Sequence, residues 1–210
     1  MELTQIEEEL FGKLAPFFER YGFAQVRAFN QFRRPTDNGF QNMILAFSPC
    51  NGETWIEAFI GIRLDMVEQL AYPFTTGMQG FRRNSNTLVT SFGRLQGQPY
   101  KRFCIKGAKC LSETRRSISD FMIEQGFEFL DKYTQLHEID HLWNATPQEP
   151  CPYAFNQAHR CIRGLVVARL ASQYPFEDVR EAYRKQMEQH VHLLPRFDKL
   201  ATFLEAYSPN

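Results

Sequence analysis

The sequence predicts an α+β fold with an N-terminal helix, an antiparallel meander sheet of about five strands and a helical C-terminal half. Three observations predict it. Apolar residues repeat every three or four positions near the N terminus, the repeat falls to about two between residues 24 and 106, and helical spacing returns after Ser112. Short connections separate the strand-like segments, which favours antiparallel pairing because parallel strands need long crossovers.

The first helix is predicted over residues 4–20. Its apolar residues lie on one stripe, formed by Ile6, Leu10, Leu14, Phe17 and Phe18. Thr4 and Glu7 have the spacing of a capping box, in which each side chain accepts a hydrogen bond from a free backbone amide of the first turn. A helix start at Thr4 is therefore expected.

Five strands are predicted, over residues 24–34, 41–48, 54–64, 86–92 and 100–106. Turn residues, including Asp37-Asn38-Gly39 and Cys50-Asn51-Gly52, separate them. In the third segment, alternation places a set of apolar side chains on one face, which is expected to be buried: Ile56, Ala58, Ile60, Ile62 and Leu64.

The C-terminal half is predicted to be helical, over residues 112–144 with Gly126 as a break, and then over 153–172, 176–190 and 196–207. The proline-rich residues 146–152 interrupt this pattern because proline lacks a backbone donor. We therefore expect an α+β domain at 1–145 and a helical segment at 153–210 packed on the same core. A helical pair after this stretch also leaves a homodimer open.

The compartment expected from composition is the cytoplasm. No apolar run approaches the roughly 18 residues that span a bilayer, and no apolar stretch follows a basic N terminus. The five cysteines are odd in number and lack a C-x-x-C pair, which favours free thiols. The sequence thus predicts no membrane partner and no structural disulfide.

The run His137-Glu138-Ile139-Asp140-His141 matches H-E-x-x-H, the pattern with which zinc peptidases bind a metal. In a zinc-dependent hydrolase of this type, His137 and His141 would bind zinc and Glu138 would activate the bound water. Helical projection places both histidines opposite the apolar stripe formed by Leu136, Ile139, Leu142 and Trp143. The exposed position favours a solvated pair, so no cofactor is expected and zinc is the alternative.

The third zinc ligand has no fixed place in the sequence. The extended motif H-x-x-G-x-x-H would need glycine and histidine where the chain has Asn144 and Pro147. Residues further along remain open as ligands: Glu177, Glu181, His190 and His192.

Charge is sorted along the chain although the net charge is zero. Residues 69–116 contain nine basic side chains and one acidic one, whereas residues 117–149 contain one basic and seven acidic. The basic segment predicts a surface for an acidic protein or another anionic partner, centred on Arg82, Arg83, Arg94, Lys101 and Arg102. Internal neutralisation by the acidic segment is the alternative.

A nucleic-acid partner is not favoured, because dedicated nucleic-acid domains usually have a pI above about 9 and this chain has a pI near 7.0. The loop at residues 73–86 lacks the lysine and hydroxyl residue of a phosphate-binding loop. The pattern instead predicts a long exposed connection, and such loops often carry binding sites. The leading expectation is therefore non-catalytic binding rather than catalysis.

The N-terminal third resembles small bacterial α+β domains of unknown function. The resemblance rests on the run from Leu14 to Phe23, on a hairpin containing Phe29 and Phe32-Arg33-Arg34, and on the strand from Trp55 to Ile62. Some of those domains are suspected immunity or toxin-neighbourhood proteins. The resemblance implies a bacterial protein that binds another protein, and it identifies no catalytic residue.

Overall fold

The computed structural model describes residues 2–50, 52–76, 80 and 82–208, and within them the predicted α+β class is confirmed. The strands are β1 (Ala24–Val26), β2 (Gln31–Thr36), β3 (Gly39–Cys50), β4 (Glu53–Leu64), β5 (Leu88–Ser91) and β6 (Phe103–Ile105). The helices are α1 (Leu3–Arg20), α2 (Asp65–Ala71), α3 (Phe92–Leu95), α4 (Ala108–Phe121), α5 (Phe127–Tyr133), α6 (Leu136–Asn144), α7 (Gln157–Ala171), α8 (Phe176–Met187) and α9 (Leu194–Ala206).

The sheet has the strand order β1-β2-β3-β4-β5, and β6 pairs with β4. β2 and β3 are antiparallel, and Thr36 lies opposite Gly39 across the predicted tight turn. The expected strand 24–34 is divided, because Arg27–Phe29 forms a 3-10 turn and Asn30 has a positive φ of 48°. A left-handed residue interrupts the extended backbone that a strand requires.

β4 shows the predicted alternation. Ile56, Ala58, Ile60, Ile62 and Leu64 are all buried. This face is the apolar surface on which the core forms, because each of these side chains points to the same side of the strand.

Three features of the helices differ from the sequence prediction. α1 begins at Leu3, and the amide of Glu2 donates to Oε1 of Gln5 at 3.3 Å, so the predicted start at Thr4 was one residue late. The predicted break at Gly126 is a π-helical turn, Met122–Gly126, between α4 and α5. The short helix α2 was not predicted.

The chain forms two compact units, each made of two segments. Unit 1 contains Met1–Ile62 and Val89–Asp131, and unit 2 contains Arg63–Leu88 and Lys132–Asn210. In unit 1, α1 packs on β1, β3 and α4. In unit 2, α7 packs against α2, α6, α8 and α9. The proline-rich residues 146–152 lie within unit 2, so contacts group the chain differently from the expected segments 1–145 and 153–210.

The helices of the described ranges lack membrane-spanning character. None of them combines the length and the apolar composition that crossing a bilayer requires.

Candidate binding site

The strongest candidate site lies in unit 2, at the turn formed by Arg82, Arg83, Asn84 and Ser85, which we call the arginine turn. The side chains of Arg82 and Arg83 are exposed. Within the described ranges, neither guanidinium forms an ion pair with a carboxylate. Arg82 Cζ lies 5.3 Å from the centroid of the Tyr72 ring, a cation–π distance. The turn therefore presents two positive charges that no nearby carboxylate compensates.

One buried guanidinium braces the backbone of this turn. Arg63 Nη1 donates to the carbonyl oxygens of Arg82, at 3.0 Å, and Ser85, at 2.9 Å. Arg63 Nε donates to Oδ1 of Asp65 at 2.5 Å, which orients the guanidinium plane. Because the first and last residues of the turn bind the same group, the backbone between them is held in one conformation.

The carboxylate of Glu68 provides a second anchor. The hydroxyl of Ser85 donates to Glu68 Oε2 at 2.7 Å, and the hydroxyl of Thr87 donates to Glu68 Oε1 at 3.0 Å. Thr87 Oγ1 also accepts the amide of Leu64 at 2.9 Å. The turn and the residues that follow it are thus joined to α2, which carries Glu68.

Glu68 forms a two-bond ion pair with Arg163 of α7. The Nε and Nη2 atoms of Arg163 lie 2.6 and 2.8 Å from the two carboxylate oxygens, and the two residues are only 1% and 2% exposed. Burial would raise the pKa of Glu68, but the charge and hydrogen bonds of Arg163 outweigh it and hold that pKa below its usual range. Such a pair is weak evidence for stability, because apolar residues often replace one without loss. We infer that it positions the groups bound to it.

His159 lies one helical turn before Arg163 on α7. Burial, together with the adjacent Arg163 charge, lowers the pKa of His159 to about 3. The imidazole is therefore neutral at physiological pH and adds no charge beside the ion pair.

A strip of aromatic rings adjoins the arginine turn. Tyr72 belongs to the 3-10 turn Tyr72–Phe74, and the ring of Phe74 lies 5.8 Å from that of Phe203 on α9. Phe203 lies 5.9 Å from Tyr207. We call Tyr72, Phe74, Phe203 and Tyr207 the aromatic strip. Phe203 is exposed, so the strip offers apolar contact area, and its Tyr72 ring meets Arg82.

Arg196 of α9 adds a third cation to this region. Its Nη1 donates to the carbonyl oxygen of Thr75 at 2.7 Å, one residue beyond Phe74. Arg196 forms no ion pair with a carboxylate of the described chain. The sequence did not indicate this grouping, because residues 72–85 and 196–207 are distant along the chain.

The predicted basic residues are divided between the two units. Arg82 and Arg83 lie in unit 2, whereas Arg94, Lys101 and Arg102 lie in unit 1. Lys101 Nζ donates to Oε1 of Gln96 at 2.6 Å, and Arg102 Nε lies 3.3 Å from a carboxylate oxygen of Glu57 on β4. Of the predicted loop at residues 73–86, Gly77, Met78, Gln79 and Phe81 lie outside the described residues.

The expected internal neutralisation also takes a different form. Arg102 pairs with Glu57, and Lys106 pairs with Glu53 at 2.9 Å, so these cations are matched by β4 rather than by the acidic residues 117–149. Lys109 has a partner in its own helix, Glu113. These three cations of unit 1 thus have carboxylate partners nearby, unlike Arg82 and Arg83 within the described ranges.

The H-E-x-x-H residues lie on α6 as the helical projection predicted. Ile139 and Trp143 are buried, and both histidines are exposed. His137 Nε2 lies 3.6 Å from a carboxylate oxygen of Glu138, and His141 Nδ1 lies 2.7 Å from the hydroxyl of Tyr174. Tyr174 therefore contacts the imidazole of His141 from the segment between α7 and α8.

Metal ligation needs more groups than these two histidines. The described part of the chain contains no group of three or more His, Cys, Asp or Glu side chains that could hold a metal ion. The zinc-dependent hydrolase with His137, Glu138 and His141 stays a prediction. Metal analysis of the wild type beside a His137→Ala/His141→Ala variant would test it.

No protein-family model matches the chain, and no curated protein or solved structure is similar enough to count as a match. The resemblance of the N-terminal third to small bacterial α+β domains stays a prediction.

Proposed function

We propose that this protein is a non-catalytic binding protein that recognises an acidic segment of another protein at the arginine turn. One observation carries the proposal: Arg82 and Arg83 are exposed and have no carboxylate partner among the described residues, on a turn whose two ends are hydrogen-bonded to buried Arg63. Fixing a binding loop before the partner arrives reduces the entropy that binding must offset.

The chemistry of the surrounding surface favours a protein partner. Guanidinium groups can bind carboxylates with two parallel hydrogen bonds, and the aromatic strip supplies area for an apolar side chain. The pI of the chain, near 7.0, also lacks the strongly basic balance that is usual in a dedicated nucleic-acid-binding domain.

Fluorescence anisotropy with a labelled oligoglutamate peptide tests this function. The variant Arg82→Glu/Arg83→Glu should bind the peptide at least roughly tenfold more weakly than the wild type, because two attractive charges become repulsive. The affinity of the wild-type protein for the peptide should also fall as the NaCl concentration rises, since salt screens exposed charges.

The chain contains a matched control for this experiment. Arg115→Glu/Arg116→Glu changes the net charge by the same amount, at another pair of adjacent arginines, on α4 in unit 1. This variant should retain peptide affinity close to that of the wild type. Equal losses in the two variants would show that net charge, rather than the arginine turn, controls binding, and the proposal would then be wrong.

A further inference from the structure

Unit 1 exposes a second surface of different chemistry. Tyr21, at the end of α1, is 38% exposed, and Ile123 in the π-helical turn is 59% exposed. The Tyr21 ring stacks on that of Phe127 with a centroid distance of 4.2 Å, and Phe17 lies 6.0 Å from Phe127. Ile123 precedes Phe127 by about one helical turn, so the four side chains lie on neighbouring parts of one surface.

This surface is held in place by Arg34 of β2. Arg34 Nη1 donates to the carbonyl oxygen of Tyr21 at 3.3 Å, and the guanidinium also donates to Oε1 of Gln41 and pairs with Asp131 of α5. The same guanidinium lies 4.9 Å from the centroid of the Phe23 ring. Tyr21 is therefore fixed to the sheet and to the helical segment that carries Phe127.

The local helix geometry is also unusual. Ile123, Glu124 and Gln125 are exposed within the π-helical turn, between the buried residues Met122 and Gly126. π-helical turns are rare and occur frequently at functional sites. An exposed isoleucine at such a turn is a candidate contact residue rather than a remnant of the core.

The helical segment that carries Ile123 and Phe127 has charge of one sign. Residues 117–131 contain four acidic side chains and no lysine or arginine. Asp131 pairs with Arg34, whereas Asp120, Glu124 and Glu128 are exposed and form no ion pair within the described ranges. An exposed apolar patch rimmed by charge is typical of a protein-binding surface.

We propose that this surface, which we call the acidic–aromatic face, binds a lysine- or arginine-rich protein segment that carries an apolar side chain. The face consists of Phe17, Tyr21, Ile123, Phe127 and the carboxylates Asp120, Glu124 and Glu128. Charge complementarity selects the cationic partner, because the uncompensated carboxylates would attract it and repel the acidic segment that the arginine turn prefers. The apolar residues define where its uncharged side chain sits.

The test is fluorescence anisotropy with a labelled oligolysine peptide that contains one central tryptophan. Glu124→Lys/Glu128→Lys should weaken binding roughly tenfold, since two rim charges are reversed. Ile123→Ser should weaken the binding of this peptide several-fold. The same substitution should leave unchanged the affinity for a tryptophan-free oligolysine, which binds the wild type more weakly. Ile123 is largely exposed, so the substitution should leave the fold intact, which circular dichroism checks.

Asp178→Lys/Glu181→Lys is the matched control. These two carboxylates of α8 are exposed and form no ion pair with another described residue. The control should bind the oligolysine peptide as the wild type does. Equal weakening in both double variants would overturn the proposal, because net charge alone would explain it.

A second copy of the chain is the competing occupant. Light scattering would show such a dimer, and Glu124→Lys/Glu128→Lys should then yield monomers. This result, together with no oligolysine binding by the wild type, would also overturn the proposal. Arg82→Glu/Arg83→Glu should leave oligolysine affinity unchanged. The acidic–aromatic face can thus succeed or fail independently of the arginine turn.

Discussion

The two units differ in what they bury. Among the described residues, the buried polar side chains of unit 1 are uncharged, including Gln31, Gln41 and Asn42. The buried Asp, Glu and Arg side chains of the described ranges all belong to unit 2: Arg63, Glu68, Asp140, Arg160 and Arg163. Unit 1 is therefore stabilised mainly by apolar burial, whereas unit 2 depends on charges that must each keep a partner.

This difference teaches where exact side-chain positions matter. A buried charge is costly unless its hydrogen bonds are made, so it fixes the groups around it more strictly than an apolar contact does. In unit 2, the groups fixed in this way include both ends of the arginine turn. We infer that unit 2 retains its buried charge to position that turn, a role that no buried charge has in unit 1 among the described residues.

The largest effect is expected from Arg163→Met. This substitution leaves Glu68 buried without its cation, which should lower the free energy of unfolding by about 3–5 kcal/mol. The corresponding change in unit 1, Arg34→Met, should cost about 1 kcal/mol, because the Arg34–Asp131 pair is partly exposed.

Urea unfolding can follow each unit separately, since the chain has one tryptophan in each. In a Trp55→Phe background, Trp143 reports on unit 2, and in a Trp143→Phe background, Trp55 reports on unit 1. Similar losses for Arg163→Met and Arg34→Met would remove the contrast between the units.

A second comparison uses one glycine from each unit. A Cβ at Gly164 on α7 would lie 2.7 Å from the hydroxyl oxygen of Tyr183, and this hydroxyl is fixed 2.6 Å from Oδ1 of Asn144. A Cβ at Gly126 would instead meet Sδ of Met122 at 2.6 Å, and methionine can change its rotamer.

Gly164→Ala should therefore lower the free energy of unfolding of unit 2 by about 1–3 kcal/mol. Gly126→Ala should change the free energy of unfolding of unit 1 by less than about 1 kcal/mol, because the higher helix propensity of alanine offsets the adjustment of Met122. Thermal unfolding monitored by circular dichroism compares them. A larger loss for Gly126→Ala would contradict the contrast.

Acid should destabilise unit 2 before unit 1. The pKa of His159 is about 3 in the folded chain, below its ordinary value of about 6.5, so the unfolded state binds more protons between these values. Stability should then fall as pH is lowered from about 6.5 towards 3. Glu68 acts in the same direction, because its depressed pKa contributes stability that is lost as pH falls through the folded value.

The Asp140 carboxyl works in the opposite direction. Burial raises the pKa of Asp140, so its contribution to stability falls as pH rises. Urea midpoints read from Trp143 at several pH values should nevertheless decrease on acidification, and His159→Gln should flatten the decrease. A pH profile that His159→Gln leaves unchanged would exclude the histidine as its cause.

Much of the fold could be predicted from the sequence, because alternation and helical spacing are local signals. The buried face of β4 and the tight turn before Gly39 are examples. α2 could not be predicted, because its seven residues are too few to establish a helical period.

The candidate site was predictable only in part. The charge pattern identified Arg82 and Arg83. The hydrogen bonds that anchor the turn also depend on the pair Glu68 and Arg163, which lie 95 residues apart. The sequence hinted at this buried ion pair only by placing Arg160 and Arg163 within a largely apolar stretch of α7. An arginine in such a stretch does not reveal which carboxylate it meets.

The smallest stability effect is expected from Arg82→Glu/Arg83→Glu. Both side chains are exposed, so the free energy of unfolding of unit 2 should change by no more than about 0.5 kcal/mol. Urea unfolding in the Trp55→Phe background measures it. A loss of several kcal/mol would mean that these arginines support the fold.

Our main proposal is that the hydrogen bonds from Arg63 to the turn backbone, and not only the charge of Arg82 and Arg83, make the arginine turn a binding site. Its most direct test is the oligoglutamate affinity of Arg63→Lys, which keeps the positive charge but cannot donate to the carbonyl oxygens of both Arg82 and Ser85 in the same way. Arg82 and Arg83 remain present. We predict roughly tenfold weaker binding by a chain that remains folded, because the released turn must be ordered again on binding. Affinity equal to that of the wild type would contradict the claim.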